Sequence, residues 1–250
     1  MHVRRKLIVG NWKMNGSIAQ LRQLHEIGQA AQATGGVDVA ICPPFTLIAT
    51  AVTRSGGRLA IGAQDCHAAD SGPYTGSVSA PMIKEAGVRM AILGHSERRA
   101  GQHESDPDVR AKAEAVLRHG LTAIVCVGEN AIDRAAGDQW PVVERQLAGS
   151  LPDDWEEGEL VVAYEPIWAI GTGNVATAAD VTEMHGAIRA YLVDRFGDLG
   201  SRIRILYGGS VKPDKAAELF GCGDVDGRLV GGASLSAAQL VPIIAAAAAS

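Results

Sequence analysis

One carboxylate in the chain stands where a buried strand meets a proline. Residues 161–164 form a short apolar run typical of a buried strand, and Glu165 follows it directly. Pro166 fixes its own φ and restricts the preceding residue to extended geometry, so Glu165 is held at a rigid strand end. A carboxylate held in this way can act as a general base. The alternative is that Glu165 forms an ordinary ion pair with a nearby Arg or Lys.

The segment after this glutamate is unusually apolar for a surface loop. It carries Trp168 and Ile170, and then Gly171 and Gly173, which allow the backbone to adopt positive φ or to close tightly over a ligand. These features predict a lid. The alternative is a stiff connector.

Other polar residues also follow apolar runs, namely Asn11, Lys13, His95 and Glu97. A carboxylate base, a neutral imidazole and a fixed cation are what proton abstraction next to a carbonyl requires. We therefore expect Glu165 to take the proton while His95 and Lys13 stabilise the charge that moves onto oxygen. The product would be an enediolate. Taken singly, Lys13 could be a solvated charge and His95 a hydrogen-bonded polar residue, so the prediction depends on their convergence.

Two glycine clusters suit an anion. Gly208-Gly209-Ser210 and Gly231-Gly232 follow the last two apolar runs, and glycine lets backbone N–H groups come close to a phosphate. Taken alone, either cluster could instead be a glycine turn that closes the barrel and binds no ligand. Their pairing after strands seven and eight predicts a phosphate site.

The elements that position these groups repeat eight times. An apolar run is followed by a helical pattern in each repeat, which predicts one α/β domain over residues 1–250, a (β/α)8 TIM barrel whose strand ends converge on one face. The competing fold is an open doubly wound sheet. It would carry a nucleotide-type glycine fingerprint at its first turn, and residues 10–13 lack that fingerprint. The predicted strands are residues 6–10, 37–42, 59–63, 89–93, 121–127, 159–164, 202–207 and 228–230. The predicted helices are residues 17–33, 80–86, 106–119, 177–196 and 214–220. Three more are predicted with one boundary each: one begins near residue 45, one ends near residue 151 and one begins near residue 236.

Composition limits the partners. The 250 residues carry a formal net charge of −5, which gives no basic field for nucleic acid or for an anionic membrane. The four cysteines are isolated, and the apolar run after the basic start is interrupted by Asn11 and Lys13 and is too short for a signal or membrane segment, so we expect a cytoplasmic protein. No metal site is expected, because there is no HExxH motif. The G-x-G-x-x-A match at 171–176 does not join a strand directly to a helix, so no dinucleotide cofactor is expected either.

The motifs together resemble the triosephosphate isomerase family over nearly the whole chain. The matching stretches are Gly10-Asn11-Trp12-Lys13-Met14-Asn15, Gly94-His95-Ser96-Glu97-Arg98-Arg99, residues 163–173, Tyr207-Gly208-Gly209-Ser210-Val211 and Leu229-Val230-Gly231-Gly232-Ala233-Ser234. The resemblance implies an aldose–ketose isomerase of glycolysis and gluconeogenesis. It would interconvert dihydroxyacetone phosphate and D-glyceraldehyde 3-phosphate without a cofactor or metal.

The resemblance also implies roles for single residues. Glu165 matches the base, His95 the electrophile, Asn11 and Lys13 the polar pair that binds substrate, and Glu97 a supporting acid. The phosphate-binding positions match Gly171, Ser210, Gly231 and Gly232. Residues 166–176 match the mobile lid.

Family members are mostly homodimers, and the loop from Gly72 to Ser77 resembles the one that inserts into the partner. Ser77 stands where an acidic residue is common, so an ion pair between subunits would be missing and the dimer weakened.

Two other functions remain open from the sequence. One is a Schiff-base lyase that uses Lys13 as its nucleophile, although nothing near Lys13 suggests the apolar burial that would activate it. The other is a protein that binds a phosphorylated metabolite without reacting, which the intact acid, imidazole and ammonium groups disfavour.

Overall fold

Eight parallel strands close into a barrel in the order β1 to β8, with β8 returning to pair with β1. The computed structural model describes residues 4–155, 158–171, 173–209 and 216–250. The predicted (β/α)8 barrel is confirmed. The strands are β1 Lys6–Asn11, β2 Val37–Cys42, β3 Ala60–Ala63, β4 Met90–Leu93, β5 Thr122–Val127, β6 Leu160–Tyr164, β7 Arg204–Tyr207 and β8 Gly227–Val230.

Helices connect the strands around the outside of the barrel. They are α1 Gln23–Thr34, α2 Ile48–Ser55, α3 Ala80–Glu85, α4 Ser96–Gly101, α5 Asp106–Arg118, α6 Ala131–Ala136, α7 Gln139–Ser150, α8 Ala178–Phe196, α9 Ala216–Phe220 and α10 Ala237–Ala248. Short 3-10 helices lie at Gln20–Arg22, Phe45–Leu47, Ile167–Ala169 and Gly232–Leu235.

The alternation of side chains along each strand separates two apolar clusters. In β1, Leu7 and Val9 point into the barrel, whereas Ile8 packs in the layer between the strands and the helices. The inner cluster is completed by aliphatic, methionine and cysteine side chains from the other strands, including Ile92 and Leu229. Both faces of the sheet are therefore apolar, which explains the continuous apolar runs in the sequence.

Several helix boundaries differ from the sequence predictions. The predicted helix at 17–33 begins as a 3-10 turn at Gln20 and becomes α-helical at Gln23. The pattern ending near 151 consists of two helices, α6 and α7, because Gly137 takes a left-handed conformation with φ 81° and ends the first. Helix α4 was not predicted.

Candidate active site

The carboxyl ends of the strands surround one cavity of about 290 Å³. It is lined by Asn11, Lys13, His95, Glu165, Ile170, Gly171, Gly208, Gly209, Arg228, Leu229, Val230, Gly231, Gly232, Ala233 and Ile243. The end of β1, the loop after β4, the end of β6 and the loops after β7 and β8 all contribute. The convergence expected of Lys13, His95 and Glu165 is thus present in the described residues.

Glu165 is buried and directly contacts the imidazole. Its Oε1 lies 3.0 Å from His95 Nε2, and its Oε2 accepts a hydrogen bond from the Ser96 N–H at 3.0 Å. Burial acts to raise the pKa of Glu165, but the His95 ring and the Ser96 N–H outweigh it and hold the pKa below its usual range. The carboxylate is therefore ionised and available as a proton acceptor.

The backbone at Glu165 needs a glycine opposite it. A Cβ on Gly128 would lie 1.8 Å from the Glu165 carbonyl oxygen. The Glu165 N–H donates to the Val127 carbonyl at 2.7 Å, so the chain runs close beside the end of β5. This close approach is possible only where no side chain intervenes.

His95 both faces the cavity and begins helix α4. Its Nδ1 accepts a hydrogen bond from the Glu97 N–H at 3.2 Å, and it is the N-cap residue of the helix. A nitrogen that accepts from an amide carries no proton, so in the neutral ring the hydrogen is on Nε2, which faces Glu165. Burial acts to lower the pKa of His95, and the adjacent Glu165 carboxylate outweighs it and raises the pKa. The charge state of the ring thus depends on where Glu165 points.

Lys13 is held in place by three polar neighbours. Its Nζ contacts Glu97 Oε1 at 2.6 Å, its N–H donates to Asn11 Oδ1 at 2.9 Å, and Gln64 Nε2 donates to its carbonyl at 2.9 Å. Its backbone has φ 51°, a conformation that non-glycine residues adopt infrequently. Glu97 does not line the cavity and reaches it through Lys13. This salt-bridged ammonium disfavours the lyase interpretation, which needs a free amine as nucleophile.

The described glycines of the predicted phosphate site line the same cavity as Lys13. Gly171, Gly231 and Gly232 line the cavity, and a Cβ on Gly231 would lie 3.7 Å from Lys13 Cε. Ser210 lies outside the described residues. Ser234 N–H and Oγ both donate to the Gly231 carbonyl, at 2.8 and 2.7 Å, and so shape this loop.

The match to known proteins extends along the whole barrel. A family model described as triosephosphate isomerase matches residues 6–247. The chain belongs to the triosephosphate isomerase family. It is therefore an isomerase that interconverts dihydroxyacetone phosphate and glyceraldehyde 3-phosphate, a reaction of glycolysis.

Individual triosephosphate isomerases are similar over nearly their full length. The enzyme from Ruegeria sp. (strain TM1040) is 56% identical over 246 residues, which cover 98% of this chain and 99% of the relative. The enzyme from Ruegeria pomeroyi is 52% identical, with 98% of each chain covered. A crystal structure of triosephosphate isomerase from Bartonella henselae superposes with a TM-score of 0.90 at 46% identity, covering 97% of this chain and 98% of that one.

The segment after Glu165, which the sequence predicts to be a lid, contacts a buried glutamate that the sequence prediction did not include. Glu129 Oε1 accepts hydrogen bonds from Trp168 Nε1 at 2.7 Å and from the Tyr164 hydroxyl at 3.0 Å. Its carbonyl accepts from the Ile167 N–H at 3.0 Å. Burial raises the pKa of Glu129, against the effect of these donors. Glu129 directly follows Gly128 at a strand end, and this position is the signal that could have identified it.

Trp12 is a second residue that was missed. It lies between Asn11 and Lys13, is fully buried, and donates from Nε1 to the Ser234 carbonyl at 3.0 Å. This bond joins the loop after β1 to the loop after β8. It therefore links the segment that carries Lys13 to the segment that carries Gly231.

The described residues contain neither a candidate metal site nor a candidate membrane-spanning helix. Within the ranges given above, no group of three or more His, Cys, Asp or Glu could hold a metal ion. In the same ranges, no helix has the length and hydrophobicity needed to cross a membrane.

Proposed function

We propose that Glu165 is the base of the isomerase reaction, that His95 is its electrophile, and that Asn11, Lys13 and the glycine loops bind the triose phosphate. The observation that carries this proposal is the 3.0 Å contact between Glu165 and His95 inside a cavity that Lys13 also lines. Base, proton donor and cation thus face one small volume. A bound three-carbon sugar phosphate would place its carbonyl and its adjacent C–H among them.

Glu165 must move for catalysis. Both of its oxygens are engaged in the structure, one with His95 and one with the Ser96 N–H. To abstract a proton from carbon it turns from these donors toward the substrate. The lowered pKa of the carboxylate keeps it ionised before substrate arrives, and the loss of its donors on turning increases its basicity.

His95 then becomes a neutral donor. Once Glu165 turns away, the main influence that raises the pKa of His95 is weakened and only the smaller attraction of the Glu97 carboxylate remains. Burial, the Lys13 ammonium and the Glu97 N–H at Nδ1 then favour the uncharged ring. The hydrogen on Nε2 is aimed at the cavity and can be shared with the substrate oxygens as charge moves between them. A proton removed from one carbon by Glu165 and returned to its neighbour completes the isomerisation.

Lys13 and Asn11 provide fixed polar groups at the end of β1. The Lys13 ammonium stabilises negative charge on the enediolate oxygens and on the phosphate, and Glu97 holds that ammonium in place through a contact of 2.6 Å. Asn11 holds the Lys13 backbone through its Oδ1. Glu97 therefore acts by positioning Lys13.

Residues 166–176 serve as the lid. Trp168 and Ile170 give the segment an apolar surface, and Gly171 and Gly173 have φ values of 70° and 84° that allow sharp turns. Closure over the bound substrate would exclude water and hold the phosphate in the plane of the enediolate. That geometry suppresses loss of phosphate from the intermediate.

A hydrogen-exchange experiment tests the assignment of the base. Dihydroxyacetone phosphate incubated with the enzyme in D₂O should acquire deuterium at the carbon next to the carbonyl, and Glu165→Gln should remove nearly all of this exchange. The matched variant Glu159→Gln, at the opposite end of the barrel, should keep it. Normal exchange in Glu165→Gln would overturn the role of Glu165.

We further propose that residues 1–250 form a single domain and that this domain works as a homodimer through the loop from Gly72 to Ser77. Tyr74 in this loop is 47% exposed and stacks on His67 with ring centroids 3.9 Å apart. Met14, next to Lys13, is 96% exposed, and a partner subunit would cover this large apolar side chain.

Sedimentation of the purified chain tests the dimer. Tyr74→Glu should shift it to the monomer and lower activity. Val193→Glu on α8 should not, because Val193 is also exposed but its helix lies between β6 and β7, away from the loop after β3. A monomeric wild type with full activity would overturn the dimer.

The cytoplasm is the expected compartment, and the four free cysteines agree with a reducing environment.

A further inference from the structure

Arg228 is a buried arginine on β8, three residues before the glycines of the predicted phosphate site. It is only 3% exposed. Its neighbour Leu229 points into the barrel, so strand alternation puts Arg228 on the outer side of the sheet. There the guanidinium carbon lies 5.5 Å from the centre of the Tyr207 ring, and Nη2 donates to the Gly209 carbonyl at 3.1 Å.

No carboxylate pairs with this arginine among the described residues. Its Nε and Nη1 are buried and have no hydrogen-bond partner there. Arg189, also buried, contacts Asp224 and Asp226 at 2.9 Å each. Within the described part of the chain, the buried charge of Arg228 is instead compensated only by one carbonyl and one aromatic ring. Leaving a charge in this state costs stability unless something else offsets the cost.

The charge is nevertheless present at neutral pH. Burial lowers the pKa of Arg228 to about 10, which still leaves the guanidinium protonated. Repacking this position with an apolar side chain would remove the desolvation cost, so the packing of the barrel alone does not account for an arginine here.

The location of Arg228 supplies a reason for the charge. It lines the same cavity as Gly171, Gly231 and Gly232, and it holds the carbonyl of Gly209 in the loop after β7. Lys13 lines this cavity too, but Glu97 compensates its charge at 2.6 Å. Among the described residues that line the cavity, Arg228 is therefore the cation without an anionic partner. A phosphate monoester at neutral pH carries up to two negative charges.

We propose that Arg228 supplies a fixed, uncompensated positive charge to the phosphate end of the active-site cavity, and that this charge strengthens binding of the substrate's phosphate dianion. The inference rests on the phosphate site proposed above. It adds a residue of strand β8 whose guanidinium acts through space, behind the backbone N–H groups that contact the anion. Because the guanidinium is shielded from water, its attraction is weakened little by salt.

The experiment measures the inhibition constant of inorganic phosphate at pH 8 against glyceraldehyde 3-phosphate as substrate. Arg228→Met removes the charge and keeps the length of the side chain. Arg228→Gln removes the charge but keeps a donor for the Gly209 carbonyl, and Arg228→Lys keeps the charge. Arg89→Met is the matched control, since Arg89 is an exposed arginine just before β4, at the other end of the barrel.

The proposal predicts a pattern across the four variants. Arg228→Met and Arg228→Gln raise the inhibition constant at least about tenfold, Arg228→Lys stays within about threefold of wild type, and Arg89→Met equals wild type. The melting temperature of Arg228→Met is equal to that of wild type or higher, because an uncompensated buried charge has been removed.

A substrate without phosphate separates electrostatics from structure. Arg228→Met should lower kcat/KM for glyceraldehyde 3-phosphate at least about tenfold more than it lowers kcat/KM for glyceraldehyde. Equal losses for both substrates, or wild-type phosphate affinity in Arg228→Gln, would overturn the proposal in favour of a structural role. The wild type serves as the test of the underlying site: if phosphate does not compete with substrate there, the phosphate site itself fails, whatever Arg228 does.

Discussion

Both ends of the barrel carry charged side chains, but they hold them in opposite ways. At the amino end, Arg204 lies between Asp38, at 2.7 Å, and Glu159, and these carboxylates are 42% and 50% exposed. At the carboxyl end, Lys13 and Glu97 are also paired, but Glu165 and Arg228 are buried: the Glu165 carboxylate contacts His95 and the Ser96 N–H, and Arg228 has no carboxylate partner among the described residues. Exposed, mutually paired charges add modest stability, whereas buried charges with few partners cost stability and remain reactive. The contrast indicates which end of the fold carries the chemistry.

The largest expected effect comes from exchanging one glutamate for glutamine at each end. Glu165→Gln removes the only carboxylate that lines the cavity among the described residues, and kcat should fall by at least about 10³-fold, at the upper part of what a general base contributes. Glu159→Gln at the amino end should leave kcat within about twofold of wild type, since it touches no reacting group. Steady-state kinetics on both variants make the comparison. Similar losses in the two would break the distinction between the ends.

Replacing His95 should have the next largest effect. His95→Ala removes both the Nε2 donor and the cap of α4, so kcat should fall by roughly 10²- to 10³-fold. Circular dichroism and thermal melting serve as controls for the fold. Loss of activity in proportion to a loss of folded protein would show that the histidine matters only as a helix cap.

At the amino end the expected change is in stability. Arg204→Met breaks contacts to Asp38 and Glu159, but Asp38 keeps Arg5 at 2.7 Å and Glu159 keeps the Thr122 hydroxyl at 2.8 Å. The free energy of unfolding should therefore fall by only about 1–2 kcal/mol, with kcat unchanged. Urea unfolding together with steady-state kinetics measures both. A loss of activity without a loss of stability would contradict this assignment.

The smallest expected effect is a change in the pKa of His95 at the carboxyl end of the barrel. The Glu165 carboxylate raises the pKa of His95 by favouring the charged ring, so Glu165→Gln should lower that pKa. Imidazole NMR signals followed against pH in both proteins give the direction. An unchanged His95 titration would show that the pair is not electrostatically coupled.

The sequence was most informative where apolar periodicity and rigid strand ends coincide. Continuous apolar runs such as that before Glu165 predicted the barrel, and Lys13, His95 and Glu165, which follow these runs, line one cavity. Helix α4 was missed because its residues, Ser96–Gly101, are polar and charged and carry no apolar repeat. It forms because His95 caps it and because the Arg99 guanidinium contacts the Gly94 and Cys126 carbonyls at 2.8 and 3.1 Å.

Contacts between distant segments were beyond reach of any local pattern. Gln64 donates to the Lys13 carbonyl across 51 positions of sequence, and Glu129 accepts from Trp168 across 39. Arg228 sits in an apolar run that reads simply as a strand. Its environment depends on Tyr207 and Gly209, which reach it only after the barrel closes.

The Nδ1 atom of His95 affects both the fold of α4 and the protonation pattern of the ring. The bond from the Glu97 amide both starts a six-residue helix and decides which side of the ring carries hydrogen. Fraying of that first turn would release the amide and let the hydrogen migrate to the wrong nitrogen, with every reactive side chain still in place. The folding of the first turn of α4 and the choice of tautomer of the His95 ring are therefore coupled in this protein.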